Sequence, residues 1–158
     1  RLSDVFASIG VARPAVDARR DTRGLADRDG RPIWPVVAAY ADAARVDAPP
    51  VCDVVDWALE HRAGVLIDTA VKDGRGLFHW LDEATLRRIV TDLQSAGLPI
   101  ALAGSLAGPA FDRACDLGPD YVAVRGAACA GADRQSTVDS ALVARLKSRL
   151  FTNGLAPV

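Results

Sequence analysis

The sequence contains no methionine, and only two of its 19 basic residues are lysines. The missing initiator residue, with arginine in first place, leads us to expect a piece of a longer protein. Codon usage that favours arginine is the simplest explanation for the shortage of lysine. Lys72 and Lys147 are nevertheless candidates for a role that arginine cannot fill, because an ammonium group can lose its proton and act as a base or a nucleophile.

Other shortages exclude classes of protein. The net charge is −1, which gives no electrostatic case for binding nucleic acid or a membrane surface. No apolar run approaches the ~20 residues of a membrane span, and the N-terminus lacks the apolar core of a signal peptide. The three cysteines are widely spaced and form no Cys-x-x-Cys pair, which predicts reduced thiols in the cytoplasm, without disulfides or a zinc site. The glycine-rich nucleotide motifs and the HExxH zinc motif are also missing.

From Trp34 onward, short apolar runs alternate with amphipathic stretches of helical period. The apolar runs predict four strands, the first of them buried, at 36–40, 65–67, 100–103 and 121–124. The amphipathic stretches predict helices from a cap at Asp53 to His61, from a cap at Asp82 to Gly97, from Pro109 to Gly118 and near 137–151. Apolar strands that each precede a helix indicate a parallel sheet covered by helices.

Four such units fit either a small doubly wound sheet or half of a TIM (β/α)8 barrel, which typically needs ~250 residues. We expect this α/β domain to occupy residues 34–152. Residues 1–33 are rich in Arg, Asp, Gly and Pro and show no clear period, so we treat them as a lead-in. Residues 153–158 form a C-terminal tail.

In parallel α/β folds, ligands gather where the carboxyl ends of the strands meet their loops. Asp68 and Lys72 follow the second predicted strand and are the strongest catalytic candidates. A carboxylate beside a lysine can hold its ammonium group or exchange a proton with it. Partial burial favours the neutral amine that acts as a base or forms a Schiff base. A solvated turn before a helix is the structural alternative.

Two glycine-containing pairs follow the third and fourth strands. Gly104-Ser105 offers amides and a hydroxyl to a phosphate oxygen, and Arg125-Gly126 offers a fixed positive charge beside a flexible amide. Their structural alternatives are a tight turn and a salt bridge at the rim. On successive strands the pairs are typical of the phosphate site of barrels. Asp42, after the first strand, is a candidate to orient the lysine, to bind a substrate hydroxyl or to cap its loop.

The four strand-end motifs read VVAAYADAARV, IDTAVKDGRGLF, ALAGSL and VRGAACAGADR. In this order they resemble the (5-formylfuran-3-yl)methyl phosphate synthase family, also called 4-(hydroxymethyl)-2-furancarboxaldehyde-phosphate synthase, over about 36–150. The resemblance implies a TIM-barrel lyase that condenses two molecules of glyceraldehyde 3-phosphate, with loss of one phosphate, for methanofuran or methylofuran synthesis. It implies active-site roles for Asp68 and Lys72, a phosphorylated triose as substrate, and no metal or organic cofactor.

The chain departs from the family in ways that bear on activity. The family's N-terminal half-barrel contributes further lysines, including the usual Schiff-base residue, and the lead-in has no DVKNP-like strand end. The four predicted strands would therefore be the last four of the family's barrel, its C-terminal half. Lys72 is then better assigned as an acid–base or electrostatic partner than as the Schiff-base amine. Ala39 stands where the family favours glycine, and 135–137 departs from its Asn/Gly-rich loop.

A half-barrel exposes two edge strands and much apolar surface. We therefore expect the chain to pair with the missing N-terminal half or to self-associate. A non-catalytic phosphate-binding or assembly module is one alternative function, and another lysine-dependent aldolase on the same architecture is a second.

Overall fold

The computed structural model describes residues 35–152, and its centre is a single sheet of four strands. These are β1 (Val36–Tyr40), β2 (Gly64–Asp68), β3 (Ile100–Leu102) and β4 (Tyr121–Val122). All neighbouring pairs are parallel, and the spatial order β1-β2-β3-β4 follows the order in the chain. The prediction of an α/β fold with four parallel strands is confirmed.

Helical structure lies between the strands and after the last one. The described residues contain five α-helices: α1 (Val51–His61), α2 (Leu77–Trp80), α3 (Glu83–Ser95), α4 (Pro109–Asp116) and α5 (Ser140–Thr152). They also contain short 3-10 helices at Ala43–Arg45, Gly126–Ala128 and Ala130–Ala132. The sequence pattern does not predict α2 or the 3-10 helices, because a segment of about one turn is too short to show a helical period.

Two predicted helix caps have opposite outcomes. The cap at Asp82 is confirmed, since its carboxylate accepts a hydrogen bond from the amide of Thr85 at 2.8 Å. The predicted cap at Asp53 is wrong, because α1 begins two residues earlier, at Val51, directly after Pro50. Asp53 lies instead in the first turn, where the helix dipole favours a negative charge.

The last helix begins later than predicted because the chain before it folds back on itself. Val138 pairs with Cys129 in an isolated antiparallel bridge, and the residue is 62% exposed. Asp139 follows, and its Oδ1 atom accepts hydrogen bonds from the amides of Ala141 and Leu142 at 2.8 and 3.1 Å. Val138 therefore matches the apolar period of α5 without belonging to that helix.

The helices cover one face of the sheet and form the core with it. Val65 and Ile67 of β2 are fully buried on this face. Ile100 and Leu102 of β3 are equally buried. The helices contribute buried apolar side chains, including Val54, Ala58, Leu86, Leu93, Phe111 and Ala114. Removing this surface from water is the main favourable term in folding.

The other face of the sheet is open in the described part of the chain. Side chains alternate across a strand, and this open face carries Val36, Ala38, Tyr40, Leu66, Ala101 and Tyr121. Val36 is 57% exposed and Tyr121 is 53% exposed. The prediction that β1 is buried is therefore wrong for most of its residues. Among those five residues only Ala39 is buried, because the helices cover only the face of the sheet on which Ala39 lies.

Candidate active site

A pocket of about 460 Å³ lies at the carboxyl ends of β2, β3 and β4. Six of the seven residues proposed from the strand ends line it: Asp68, Lys72, Gly104, Ser105, Arg125 and Gly126. The seventh, Asp42, is buried beside the pocket and does not line it. Residues of three successive strand ends therefore converge on one space, which is where ligands bind in parallel α/β folds.

The ammonium group of Lys72 is held against the end of β2 by three acceptors. Its Nζ atom lies 2.7 Å from Oδ1 of Asp68 and 3.2 Å from Oγ1 of Thr69. It also donates to the carbonyl oxygen of Thr69. An ammonium group has three donors, so every donor of Lys72 has a partner within two residues of the strand end.

Asp68 uses only one of its two carboxylate oxygens in these contacts. Oδ1 accepts from Lys72 and from the amide of Thr69, each at 2.7 Å. Within residues 35–152, Oδ2 accepts no hydrogen bond, and the side chain is 30% exposed. The carboxylate therefore has an oxygen available to a ligand while the other oxygen holds the lysine.

Asp42 holds the loop that carries Lys72. Its Oδ1 and Oδ2 atoms accept hydrogen bonds from the amides of Ala70 and Val71 at 2.6 and 2.9 Å. Burial acts to raise the pKa of the Asp42 carboxyl, but the bonds from Val71 and Ala70 outweigh it, so the pKa lies below its ordinary value of 3.8. Asp42 therefore binds the backbone of the loop that carries Lys72 and makes no hydrogen bond to the lysine itself.

A cluster that we did not predict from the sequence holds the far end of the same loop. Oδ2 of Asp73 accepts from Arg45 at 2.8 Å and from Arg75 at 2.5 Å. The hydrogen bonds from Arg75, and then those from Arg45, hold the pKa of Asp73 well below its ordinary value. Both guanidinium groups lie over the ring of Trp80, at 5.5 and 5.1 Å from its centroid. Cation–π contacts of this kind stabilise exposed arginines modestly.

Gly104 and Ser105 form a turn with an unusual backbone. Their φ angles are +102° and +54°, in the region that residues other than glycine rarely adopt. The carbonyl of Gly104 accepts a hydrogen bond from the amide of Leu77 at 2.9 Å, which fixes the turn against α2. Within the described residues, the amides of Gly104, Ser105 and Leu106 donate to no acceptor. Unpaired amides beside a pocket suit an anion.

The segment after β4 brings two arginines to the pocket. Nε of Arg125 donates to the carbonyl of Arg134 at 3.1 Å, which ties the end of β4 to a residue nine positions later. Gly126 lies close to the returning chain, because a Cβ there would be 3.2 Å from the carbonyl oxygen of Ala132, a tighter contact than most side chains make. Arg134 lines the pocket, and its side chain has no hydrogen-bond or ion-pair partner among the described residues.

We did not single out Arg134 from the sequence. It lies in the quoted VRGAACAGADR motif, and its position there was the available signal. Among the described residues, three cations and one carboxylate line the pocket: Lys72, Arg125, Arg134 and Asp68. Such an excess of positive charge in a cleft attracts an anionic ligand.

Two further features concern only residues 35–152. Among these residues, no group of three or more His, Cys, Asp or Glu side chains is placed to hold a metal ion. In the same range, no helix has both the length and the apolar character needed to cross a membrane.

The chain matches the family model described as 4-HFC-P synthase over residues 9–147. The match begins within the lead-in at 1–33 and ends inside α5. A model that covers most of a chain identifies its family.

Curated relatives agree with that match. The (5-formylfuran-3-yl)methyl phosphate synthase of Methanopyrus kandleri is 43% identical over 117 residues, which is 73% of this chain and 49% of that protein. The protein of the same name from Methanocaldococcus jannaschii is 40% identical over 127 residues, 79% of this chain and 54% of that protein. The chain spans about half the length of the curated relatives it matches. It belongs to the 4-HFC-P synthase family.

Proposed function

We propose that this chain carries Asp68 and Lys72 of a furan phosphate synthase, a lyase that joins two molecules of glyceraldehyde 3-phosphate. The product is 4-(hydroxymethyl)-2-furancarboxaldehyde phosphate, released with one inorganic phosphate and water, for methanofuran or methylofuran synthesis. The observation that carries the proposal is the ion pair of Lys72 and Asp68, 2.7 Å apart, in a pocket rich in positive charge. The names of the relatives supply the furan phosphate product, and the substrate is what the family resemblance implies.

The reaction needs repeated proton transfers, and the pair is suited to them. Joining two trioses requires an enolate or enamine, followed by elimination of phosphate, loss of water and ring closure. Oδ2 of Asp68, which accepts no hydrogen bond within residues 35–152, takes a proton from carbon or oxygen. The ammonium group of Lys72 donates a proton or stabilises developing negative charge. Positioned acid–base groups of this kind accelerate a step by about 100-fold to 10,000-fold.

Lys72 acts in this scheme as an ammonium group and not as the Schiff-base amine. Its three donors are occupied by Asp68 and by the carbonyl and hydroxyl of Thr69. Attack on an aldehyde needs a nitrogen lone pair directed at the carbonyl carbon, and the three acceptors hold this nitrogen against the end of β2. The Schiff-base lysine then comes from the other half of the family's fold.

The phosphate of the triose binds at the other two strand ends. The unpaired amides of Gly104 and Ser105 and the guanidinium groups of Arg125 and Arg134 are its ligands in this proposal. Holding the phosphate places the aldehyde carbon near the ion pair, and such positioning lowers the barrier to reaction. Asp42 contributes through the loop that it holds.

The sheet is half of a (β/α)8 barrel in this proposal, and its open face is the barrel interior. Two observations support this: helices cover only one face of the four parallel strands, and the matched relatives are about twice as long. The partner is the family's other four βα units, which cover the open face and pair with the edge strands β1 and β4. A second copy of the chain is the competing occupant.

The test is product analysis after incubation with glyceraldehyde 3-phosphate. The chain is assayed alone and after co-expression with the N-terminal half of the Methanocaldococcus jannaschii relative. We expect the furan phosphate and inorganic phosphate in equal amounts in the co-expressed sample. Phosphate binding without any product would favour a non-catalytic module, and an aldol adduct that keeps both phosphates would favour another aldolase.

A further inference from the structure

Thr69 lies between the catalytic pair and the phosphate-binding turn. Its side chain is buried, with only 1% of the residue exposed. The hydroxyl oxygen is 3.2 Å from Nζ of Lys72. The methyl carbon Cγ2 packs on the other side, so close to Gly104 that a Cβ built at that glycine would lie 3.2 Å from it. One side chain therefore contacts two functional groups through two chemically different atoms.

We propose that Thr69 is a positioning residue that sets the distance between the ammonium group of Lys72 and the phosphate turn at Gly104-Ser105. The hydroxyl and the carbonyl of Thr69 fix the ammonium group, and the methyl group fixes the backbone of the turn. This inference rests on the function proposed above and adds a residue to it.

The backbone around Thr69 makes the arrangement rigid. Its amide donates to Oδ1 of Asp68 at 2.7 Å, which joins the threonine to the catalytic carboxylate. The next two amides donate to the buried carboxylate of Asp42. The amide of Leu77 donates a hydrogen bond to the carbonyl of Gly104, which fixes the turn against α2. A side chain fixed at both ends in this way transmits position from one strand end to the next.

Threonine is the residue type that supplies both contacts, since serine lacks the methyl and valine lacks the hydroxyl. The two functions are therefore separable by two variants of nearly the same size. Thr69→Val removes one acceptor of Lys72 and leaves the packing under Gly104. Thr69→Ser leaves the acceptor and opens space under the turn.

The first measurement is steady-state kinetics with glyceraldehyde 3-phosphate on the co-expressed protein. For Thr69→Val we expect kcat to fall about tenfold, the effect of one hydrogen bond, with KM changed less than about twofold. For Thr69→Ser we expect KM to rise about fivefold, with kcat changed less than about threefold. Equal changes of kcat and KM in both variants would overturn the assignment, because they would indicate a merely structural role.

The second measurement does not depend on activity, so it separates this inference from the proposed synthase reaction. The chain has only two lysines, so selective 13C labelling of lysine yields two sets of Hε signals, assigned with Lys147→Arg. We expect the two Hε protons of Lys72 to be inequivalent in the wild type and in Thr69→Ser, and to converge in Thr69→Val. Unchanged Lys72 signals in a folded Thr69→Val variant would contradict the inference.

Inorganic phosphate serves as the probe of the turn. We expect its titration to shift the amide signals of Gly104 and Ser105 in the wild type and Thr69→Val, with about fivefold weaker binding in Thr69→Ser. Equal phosphate affinity in all three proteins would overturn the role of the methyl group. A co-expressed wild-type protein without synthase activity but with these signal changes would contradict the proposed reaction and leave the positioning role supported.

Discussion

The Nζ atom of Lys72 and the Oδ1 atom of Asp68 lie 2.7 Å apart at the carboxyl end of β2. Both side chains are about 30% exposed, so the pair is within reach of solvent and of a ligand. A pair with this exposure contributes little to stability, because water screens the charges. Its position in a pocket beside two arginines is consistent with the catalytic role that we propose for it.

Replacing Lys72 with arginine is the first test of that chemistry. We expect Lys72→Arg to fold normally, because the charge is kept and the site is partly exposed. Synthase activity of the co-expressed protein should fall at least about 100-fold, because a guanidinium group does not release a proton in the working pH range. Lys147→Arg is the matched control and should keep full activity. Full activity of Lys72→Arg would remove the lysine from the mechanism.

Replacing Asp42 with asparagine tests the support of the lysine loop. Both carboxylate oxygens of Asp42 accept from backbone amides, and an asparagine offers an acceptor to only one of them. We expect Asp42→Asn to lower the free energy of unfolding by about 1–3 kcal/mol at pH 7, the cost of an unsatisfied buried group. Urea unfolding followed by circular dichroism measures it.

The same variant carries a prediction about pH. The pKa of Asp42 in the folded protein lies below 3.8, so its charged form stabilises the fold above that pH, and the contribution is lost as pH falls through the folded pKa. The difference in unfolding free energy between wild type and Asp42→Asn should be constant from about pH 8 to pH 5 and shrink below about pH 4. A difference that grows in acid would contradict the assigned direction.

Gly104→Ala tests the phosphate turn. The new methyl group would lie 3.2 Å from Cγ2 and 3.3 Å from the amide nitrogen of Thr69, at a φ of +102°. We expect a loss of stability of about 1–3 kcal/mol and weaker binding of inorganic phosphate. Gly97→Ala is the matched control, because Gly97 also has a positive φ, +68°, but nothing within 4 Å of the added carbon. Equal phosphate affinity in both variants would argue against the turn as a ligand.

Arg134→Gln tests the cation that we did not single out from the sequence. Since this guanidinium lines the pocket without a partner among residues 35–152, its loss should leave stability nearly unchanged. We expect the affinity for inorganic phosphate to fall about tenfold, the effect of one charged hydrogen bond, as measured by calorimetry. Arg87→Gln on α3 changes the same charge at a site outside the pocket and serves as the control. Equal phosphate affinities of the Arg134→Gln and Arg87→Gln variants would exclude Arg134 as a phosphate ligand.

The local patterns of the sequence predicted a large part of this structure. Apolar runs placed all four strands, and the cap at Asp82 placed the start of α3. Asp53 misled the prediction because a residue type that caps helices also suits the first turn of a helix. The residue directly before this helix is Pro50. Val138 misled the prediction because it continues the apolar period of α5. In the structure it pairs with Cys129 in the antiparallel bridge and lies before the helix.

By itself, the sequence determined the βα order and the strand-end positions of Asp68 and Lys72, because hydrophobic period and chain position are local properties. Only the tertiary structure decided the role of Asp42, whose acceptors meet amides 28 and 29 residues away. Only the tertiary structure placed the methyl group of Thr69 against Gly104, and the carbonyl of Arg134 within hydrogen-bond distance of Nε of Arg125. It also left one apolar face of the sheet open within residues 35–152. Such contacts join strand ends that are distant in the chain, and only the packing of helices on a parallel sheet brings them together.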